Sequence, residues 1–301
     1  MEIIKINPQG YCNGVIEAIN IIKNTNPSNT YILGQIIHNK SINETLEKMG
    51  FRIVEGKSRL DMLDSINEGT VVFTAHGVSP KVYEKAKSKG LKIIDATCKK
   101  VIDVHKKIQS KIKDMDIIYI GKRNHPETEG VLGIDDKIIL FDDIKNPPIL
   151  DKNKKYFVTN QTTLSLYKIE EFYDYLKNYN VEIDNSICMA TTIRQKAVLN
   201  APDCDLFIVV GDYFSSNTNE LYNIAKRKFN SIKIETLHDL DISILKDVFK
   251  ICITSGASTP KKIVDQVIDY LKDFDYNSHR QFPNKIEDLV WGKKWKKLLT
   301  I

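Results

Sequence analysis

Short runs rich in Ile, Val, Phe and Tyr recur along the chain, each giving way to a polar loop and then to apolar positions at helical spacing. Six of them read YILGQIIHN (31–39), VVFTAHGVS (71–79), IIYIGKRNHPE (117–127), YFVTNQTTLS (156–165), LFIVVGDYFSSN (206–217) and ICITSGAST (251–259). Short β-branched and aromatic runs bounded by polar clusters predict strands. Strand alternating with helix predicts mainly parallel sheets in an α/β fold. Ligands in such sheets bind beyond the carboxyl ends of the strands, where each of the six loops falls. Helix starts are marked as well. Ser41 with Glu44 and Asn217 with Glu220 have capping-box spacing. Ser79-Pro80 and Thr259-Pro260 each set a cap before a proline, and Gly50 and Gly90 fit helix ends.

The six units group into three pairs, with a cysteine ahead of each pair. Cys12 leads to the loops at 38 and 76, Cys98 to those at 125 and 162, and Cys188 to those at 215 and 258. Helical patterns follow the cysteines, over Gly14–Lys23, Lys99–Lys113 and Thr191–Asn200. A period of roughly 90 residues is too long for a solenoid and fits three similar lobes of ordinary domain size. The expected division is 14–97, 98–187 and 188–278, the last joined by an N-terminal strand within 1–13, with a C-terminal basic segment at 279–301.

Composition narrows the class. The chain has 301 residues, 42% hydrophobic and 28% charged, which excludes disorder and exceeds what one core supports. Its apolar runs are short; Leu206–Val210 is five residues, against about 20 for a membrane span. Residues 1–10 lack a secretory signal, so a cytoplasmic protein is expected. The net charge of +5 is concentrated in 279–301, which holds six Lys/Arg against two Asp/Glu. That segment, ending WGKKWKKLLTI, reads as a helix docking Trp291 and Trp295 or as a solvated tail. The rest is nearly neutral, which argues against a nucleic-acid partner.

Five cysteines without a CxxC exclude a zinc ribbon and a thioredoxin motif, and a cytosolic chain is not held by disulfides. Cys204 and Cys252 border or enter apolar runs and read as structural. Cys12, Cys98 and Cys188 each precede a helix, where backbone N–H groups favour a thiolate. If three lobes surround an axis, these thiolates can hold three irons of a [4Fe–4S] cluster and leave the fourth open to substrate. Spacing alone favours three unrelated buried thiols, and it is the loops that change that balance.

The loops add the chemistry. His38, His76 and His125 each follow a strand at the ligand end, whereas His105, His238 and His279 carry no assigned role. Ser215, Ser216, Asn217 and Ser258 place neutral donors at helix starts, a group suited to a diphosphate. No GxxxxGK[ST] loop is present, so nucleotide hydrolysis is not indicated. In His125-Pro126-Glu127, proline turns His125 away from helical geometry, and a glutamate closed off from water can keep its proton near neutral pH. Spacing leaves Glu129 as a second candidate acid, more simply a solvated first-turn residue.

Together GYCNGV, IIHNK, FTAHGVS, DATC, HPETEG, QTTLS, ICMATTIRQ, SSNTNEL and SGAS resemble, in order from residue 10 to 258, the 4-hydroxy-3-methylbut-2-enyl diphosphate reductase (IspH/LytB) family. CNGV and ATCKK stand where the family usually has CAGV and ATCP. The resemblance implies three α/β lobes arranged as a trefoil around one [4Fe–4S] cluster per chain, held by Cys12, Cys98 and Cys188. It implies that His38, His76, Ser215, Ser216, Asn217 and Ser258 hold the diphosphate, that His125 and Thr162 join the substrate or proton network, and that Glu127 is the proton donor. The implied reaction is reductive dehydroxylation, with the substrate hydroxyl on the open iron and isopentenyl and dimethylallyl diphosphate as products. Electrons would come from ferredoxin or flavodoxin, an acidic donor suited to a lysine-rich surface. Quinolinate synthase, also built from three lobes and three cysteines, has motifs that do not match these loops. A non-catalytic iron–sulfur sensor would need neither a proton donor nor diphosphate ligands.

Overall fold

All six runs become strands, and six further strands flank them. The computed structural model describes residues 1–274, so the basic segment 279–301 lies outside the described residues. Its strands, β1 to β12 in chain order, form three four-stranded sheets, and every pairing is parallel. One sheet has the order β1-β12-β10-β11, from Glu2–Lys5, Lys250–Ser255, Leu206–Val210 and Ser231–Ile234. A second runs β5-β4-β2-β3, from Lys92–Asp95, Thr70–Phe73, Thr30–Leu33 and Arg52–Val54. The third runs β9-β8-β6-β7, from Asn180–Ile183, Lys155–Asn160, Asp116–Ile120 and Ile139–Phe141. Written this way, the three orders are the same order.

The sequence signal tracks position in the sheet. Interior strands are covered on both faces and read as continuous apolar runs; Leu206–Val210 is buried at all five positions. Edge strands such as Lys92–Asp95 and Asn180–Ile183 are exposed at both ends, so they show no run to find.

Ten helices connect the strands among the described residues: α1 (Asn13–Lys23), α2 (Lys40–Lys48), α3 (Arg59–Asp64), α4 (Pro80–Ser88) and α5 (Lys99–Lys111) in the first half. The second half has α6 (Pro126–Leu132), α7 (Leu166–Leu176), α8 (Met189–Leu199), α9 (Ser216–Ala225) and α10 (Lys261–Lys272). Gly50 and Gly90 lie just past α2 and α4 with φ of 97° and 70°, the left-handed conformation that ends a helix.

Three of the expected caps are displaced. Asn39, not Ser41, caps α2, its side chain accepting from the Ile42 N–H at 3.1 Å. Ser215 caps α9 by accepting from the Thr218 N–H, which moves Asn217 into the first turn. Pro260 occupies the cap position of α10, and Thr259 instead donates to the Val210 carbonyl at 3.1 Å.

The chain divides into two compact units. Among the described residues, one comprises Met1–Ile16, His38–Thr45 and 189–274, and contains the β1-β12-β10-β11 sheet. The other comprises Glu17–Ile37 and Leu46–Cys188 and contains the remaining two sheets. Among the described residues no helix is long and apolar enough to cross a membrane.

Candidate active site

The shared strand order sorts the sequence-predicted residues into three kinds of loop. The interior strands β2, β6 and β10 lead to His38, to His125, and to Ser215–Asn217. Their neighbours β4, β8 and β12 lead to His76, Thr162 and Ser258, and the edge strands β5, β9 and β1 lead to Cys98, Cys188 and Cys12. Thr162 had no signal of its own in the sequence. Strand order places it where the other two sheets carry His76 and Ser258.

The first unit gathers neutral donors. Ser215, Ser216, Asn217 and Ser258 are all buried. The Ser258 hydroxyl meets that of Ser215 at 3.4 Å, and the Asn217 carbonyl oxygen accepts from the Ala257 N–H at 2.9 Å. The Asn217 amide nitrogen donates to Thr191 Oγ1 at 3.3 Å. Asp212 accepts from the Lys40 N–H at 3.0 Å, tying the segment that carries His38 to the β10–α9 loop. These residues surround the N-terminus of α9, whose dipole favours an anion. Cys12 joins the same unit, its N–H donating to the Ala257 carbonyl at 3.0 Å.

Two glycines make that helix start possible. A Cβ on Gly256 would overlap Thr218 Oγ1, and Gly211, at φ 154°, faces the same hydroxyl. Gly256→Ala should therefore push α9 off its seat and cost about 1–3 kcal/mol of stability. Thr218→Ala in the same chain should restore much of it. Thermal unfolding of the single and double variants checks this, and equal midpoints for Gly256→Ala and the parent would contradict it.

The second unit gathers the acid and the other two cysteines. His125 caps α6 with extended φ/ψ of −81° and 138°, and its Nδ1 accepts from the Glu127 N–H at 3.1 Å. The His76 and His125 rings meet edge to face, 5.8 Å between centroids. Glu127 is 2% exposed. Its Oε1 accepts from the Thr162 N–H at 2.8 Å, and its Oε2 lies 3.1 Å from the Thr162 hydroxyl. The Tyr119 hydroxyl is 3.5 Å from Oε1. Burial pushes this carboxyl up to about 7, against the lowering effect of the Thr162 and Tyr119 bonds. The sequence did not reveal Tyr119, which reads as one more apolar position in a strand.

Glu129 differs from expectation. It is not simply solvated: its Oε1 accepts from the Arg59 N–H at 2.6 Å and its Oε2 pairs with Arg59 Nη1 at 2.7 Å. Glu129 is thus committed to Arg59, whereas Glu127 meets Thr162.

The cysteines sort as their positions suggest. Cys252 is buried in β12, its thiol donating to the Pro202 carbonyl at 3.6 Å, and burial pushes it up to about 12. Cys12, Cys98 and Cys188 form no disulfide and are half-buried. Each directly precedes a helix, and each N–H bonds to a loop carbonyl beside its strand: Ala257, Ala75 and Thr162, all at 3.0 Å. Cys98 takes the cap position of α5 without making a side-chain cap bond. Ser or Asp would normally stand there, so its sulfur gives up local helix stability. An iron–sulfur cluster takes one thiolate sulfur per iron. Among the described residues no three His, Cys, Asp or Glu are grouped to hold a single metal ion.

Three parallel sheets with this loop chemistry at their carboxyl ends define an α/β enzyme with an anion-binding loop set and a buried acid. The LytB protein family model matches residues 3–272, and the chain belongs to that family. Relatives named 4-hydroxy-3-methylbut-2-enyl diphosphate reductase include those of Geobacillus sp. (strain WCH70), 42% identical over 292 residues and 92% of each chain, and Bacillus subtilis (strain 168), 42% identical over 291 residues. Among solved structures, the E-1-hydroxy-2-methyl-but-2-enyl-4-diphosphate reductase of Plasmodium falciparum is similar with a TM-score of 0.82 at 33% identity, over 94% of both chains. A second, titled (E)-4-hydroxy-3-methyl-but-2-enyl diphosphate reductase, has a TM-score of 0.63 at 30% identity, covering 91% of this chain and all of the other.

Proposed function

We propose that the protein reduces (E)-4-hydroxy-3-methylbut-2-enyl diphosphate to isopentenyl and dimethylallyl diphosphate, removing the hydroxyl as water. The observation that carries this reading is Glu127, buried, kept protonated near neutrality and fixed on Thr162, in a chain 42% identical to named reductases. The change takes up two electrons and two protons. One proton leaves with the hydroxyl oxygen, and the other ends on the allylic carbon.

His38, His76, Ser215, Ser216, Asn217 and Ser258 are assigned to the diphosphate, with the α9 dipole adding to them. Cys12, Cys98 and Cys188 would hold one [4Fe–4S] cluster, which supplies electrons one at a time and an open iron for the substrate oxygen. Ferredoxin or flavodoxin would deliver those electrons. The boundaries at the cysteines, 14–97, 98–187 and 188–278 with the strand in 1–13, are read as three copies of one unit.

The proton's place follows from the hydrogen bonds. When Glu127 is charged, Thr162 donates to both of its oxygens, the N–H to Oε1 and the hydroxyl to Oε2; when Oε2 takes up the proton, that second bond reverses and Glu127 donates to Thr162 Oγ1. The Thr162 hydroxyl hydrogen is then turned outward, toward a substrate hydroxyl and away from the carboxyl. Thr162 thus passes the proton on, while His125 fixes the first turn from which Glu127 projects.

Removing a clamp donor should weaken diphosphate binding. His38→Ala or Asn217→Ala is expected to lose roughly 1.5–3 kcal/mol for each charge-assisted bond. Steady-state kinetics check it, and an alanine at either position with unchanged kinetics removes that residue from the clamp. The function itself is tested on anaerobically purified protein. Four irons and four sulfides per chain, with a spectrum that changes on adding the diphosphate substrate, support it. A chain that takes up no iron–sulfur cluster overturns it.

A further inference from the structure

Arg59 opens α3 and is 8% exposed, an unusual depth for a guanidinium. Both its backbone N–H and its Nη1 converge on the Glu129 carboxylate, at 2.6 and 2.7 Å. Gly34, at φ 76°, lies beside the group. Glu129 lies on α6, a helix of only seven residues that also carries Glu127. Besides the hydrogen bonds of Glu127 to Thr162 and Tyr119 and the contact of Thr128 with Tyr119, α6 meets this unit by close packing. Gly130 packs against His105 and Gly77, and Gly133 against Ser79. Small residues allow that approach without fixing how the helix is rotated. The fork from Arg59 does fix it, because two hydrogen bonds from one residue to one carboxylate set both distance and angle.

We propose that Arg59 is a positioning residue: by clamping Glu129 it sets the rotation of α6 and so keeps the Glu127 carboxyl on Thr162. This rests on the reading of Glu127 as proton donor. Glu127 meets the Thr162 N–H and hydroxyl within hydrogen-bond distance at both oxygens. A small rotation of α6 breaks that match, and misplacement on the scale of 1 Å costs up to about 100-fold in rate.

The test compares Arg59→Ala, Arg59→Lys, Glu129→Gln and Arg59→Ala/Glu127→Gln with the parent, all with cluster content matched. Arg59→Ala is expected to lower kcat about 10- to 100-fold with little change in KM for the diphosphate. Arg59→Lys, which keeps the charge and the backbone N–H but not the planar guanidinium, recovers part of the loss, and Glu129→Gln behaves like Arg59→Ala. If Arg59 acts through Glu127, the double variant is no slower than Glu127→Gln alone. Losses that multiply in the double variant, or an unchanged kcat in both Arg59→Ala and Glu129→Gln, overturn the proposal.

Hydrogen exchange over residues 122–133, read by mass spectrometry, reports the clamp independently of turnover. Faster exchange in Arg59→Ala is expected, and unchanged exchange sinks the clamp whatever Glu127 does. Faster exchange together with a full-rate Glu127→Gln enzyme instead shows that the donor reading has failed while Arg59 still holds the helix. Should Arg59→Ala not fold, Arg59→Lys and Glu129→Gln carry the same comparison.

Discussion

Glu127→Gln is expected to turn over about 10²–10⁴ times more slowly than the parent, the usual worth of a positioned general acid. The amide keeps the shape, and its oxygen can still accept from the Thr162 N–H. It has no acidic proton to give up. Cluster content and diphosphate binding should persist, which separates this loss from misfolding. Glu129→Gln should also slow turnover, but for another reason, since it breaks the pairing with Arg59 and leaves the acid in place. Single-turnover rates of the two variants rank them. A parent-rate Glu127→Gln enzyme ends the assignment.

The same carboxyl predicts two pH dependences. With the folded-state value raised to about 7, the donating form is lost as pH rises through 7, and turnover should fall with it. The sign for stability follows from linkage. The native state holds this proton more tightly than the unfolded chain, where the ordinary value is 4.5. Its contribution is complete below about 4.5 and is lost as pH rises through 7, roughly 3 kcal/mol in all. Glu127→Gln lacks that loss, so its stability relative to the parent should increase between pH 4 and pH 8. Urea unfolding at the two pH values measures the difference.

Replacing Cys12, Cys98 or Cys188 with Ser is expected to abolish cluster retention, and with it activity, because a hydroxyl is a poor iron ligand beside thiolates. Cys98→Ser is the most informative of the three. Ser is favoured at a helix cap where this Cys makes no side-chain cap bond, so α5 should hold at least as well as in the parent. Loss of iron from a stably folded Cys98→Ser chain then reports ligation directly. Cys204→Ser or Cys252→Ser should retain the cluster, since Cys252 is bonded to the Pro202 carbonyl inside the sheet. Full iron content in Cys98→Ser would contradict the assignment.

What the sequence made legible follows sheet position. β10, continuous and apolar, was plain; β5 and β9, half-exposed edge strands, were not. The sequence showed that Cys12, Cys98 and Cys188 each precede a helix; that each also follows an edge strand emerged only with the strand order. The HPE loop announced an acid, and Pro126 fixed the geometry of His125 as expected. Choosing between Glu127 and Glu129 required tertiary partners. Arg59 lies seventy positions from Glu129 in the chain, and no local pattern joins them. The caps of α2 and α9 were misplaced because Ser, Asn and Asp cluster at both starts and spacing does not rank them.

The most direct test is product analysis under anaerobic conditions. The cluster-loaded protein is incubated with (E)-4-hydroxy-3-methylbut-2-enyl diphosphate and a one-electron chemical reductant, which removes any dependence on a protein donor. Isopentenyl and dimethylallyl diphosphate should appear, with two electrons consumed per product and far slower formation by Glu127→Gln. Unconsumed substrate after many equivalents of reductant, with four irons per chain in place, would contradict the account.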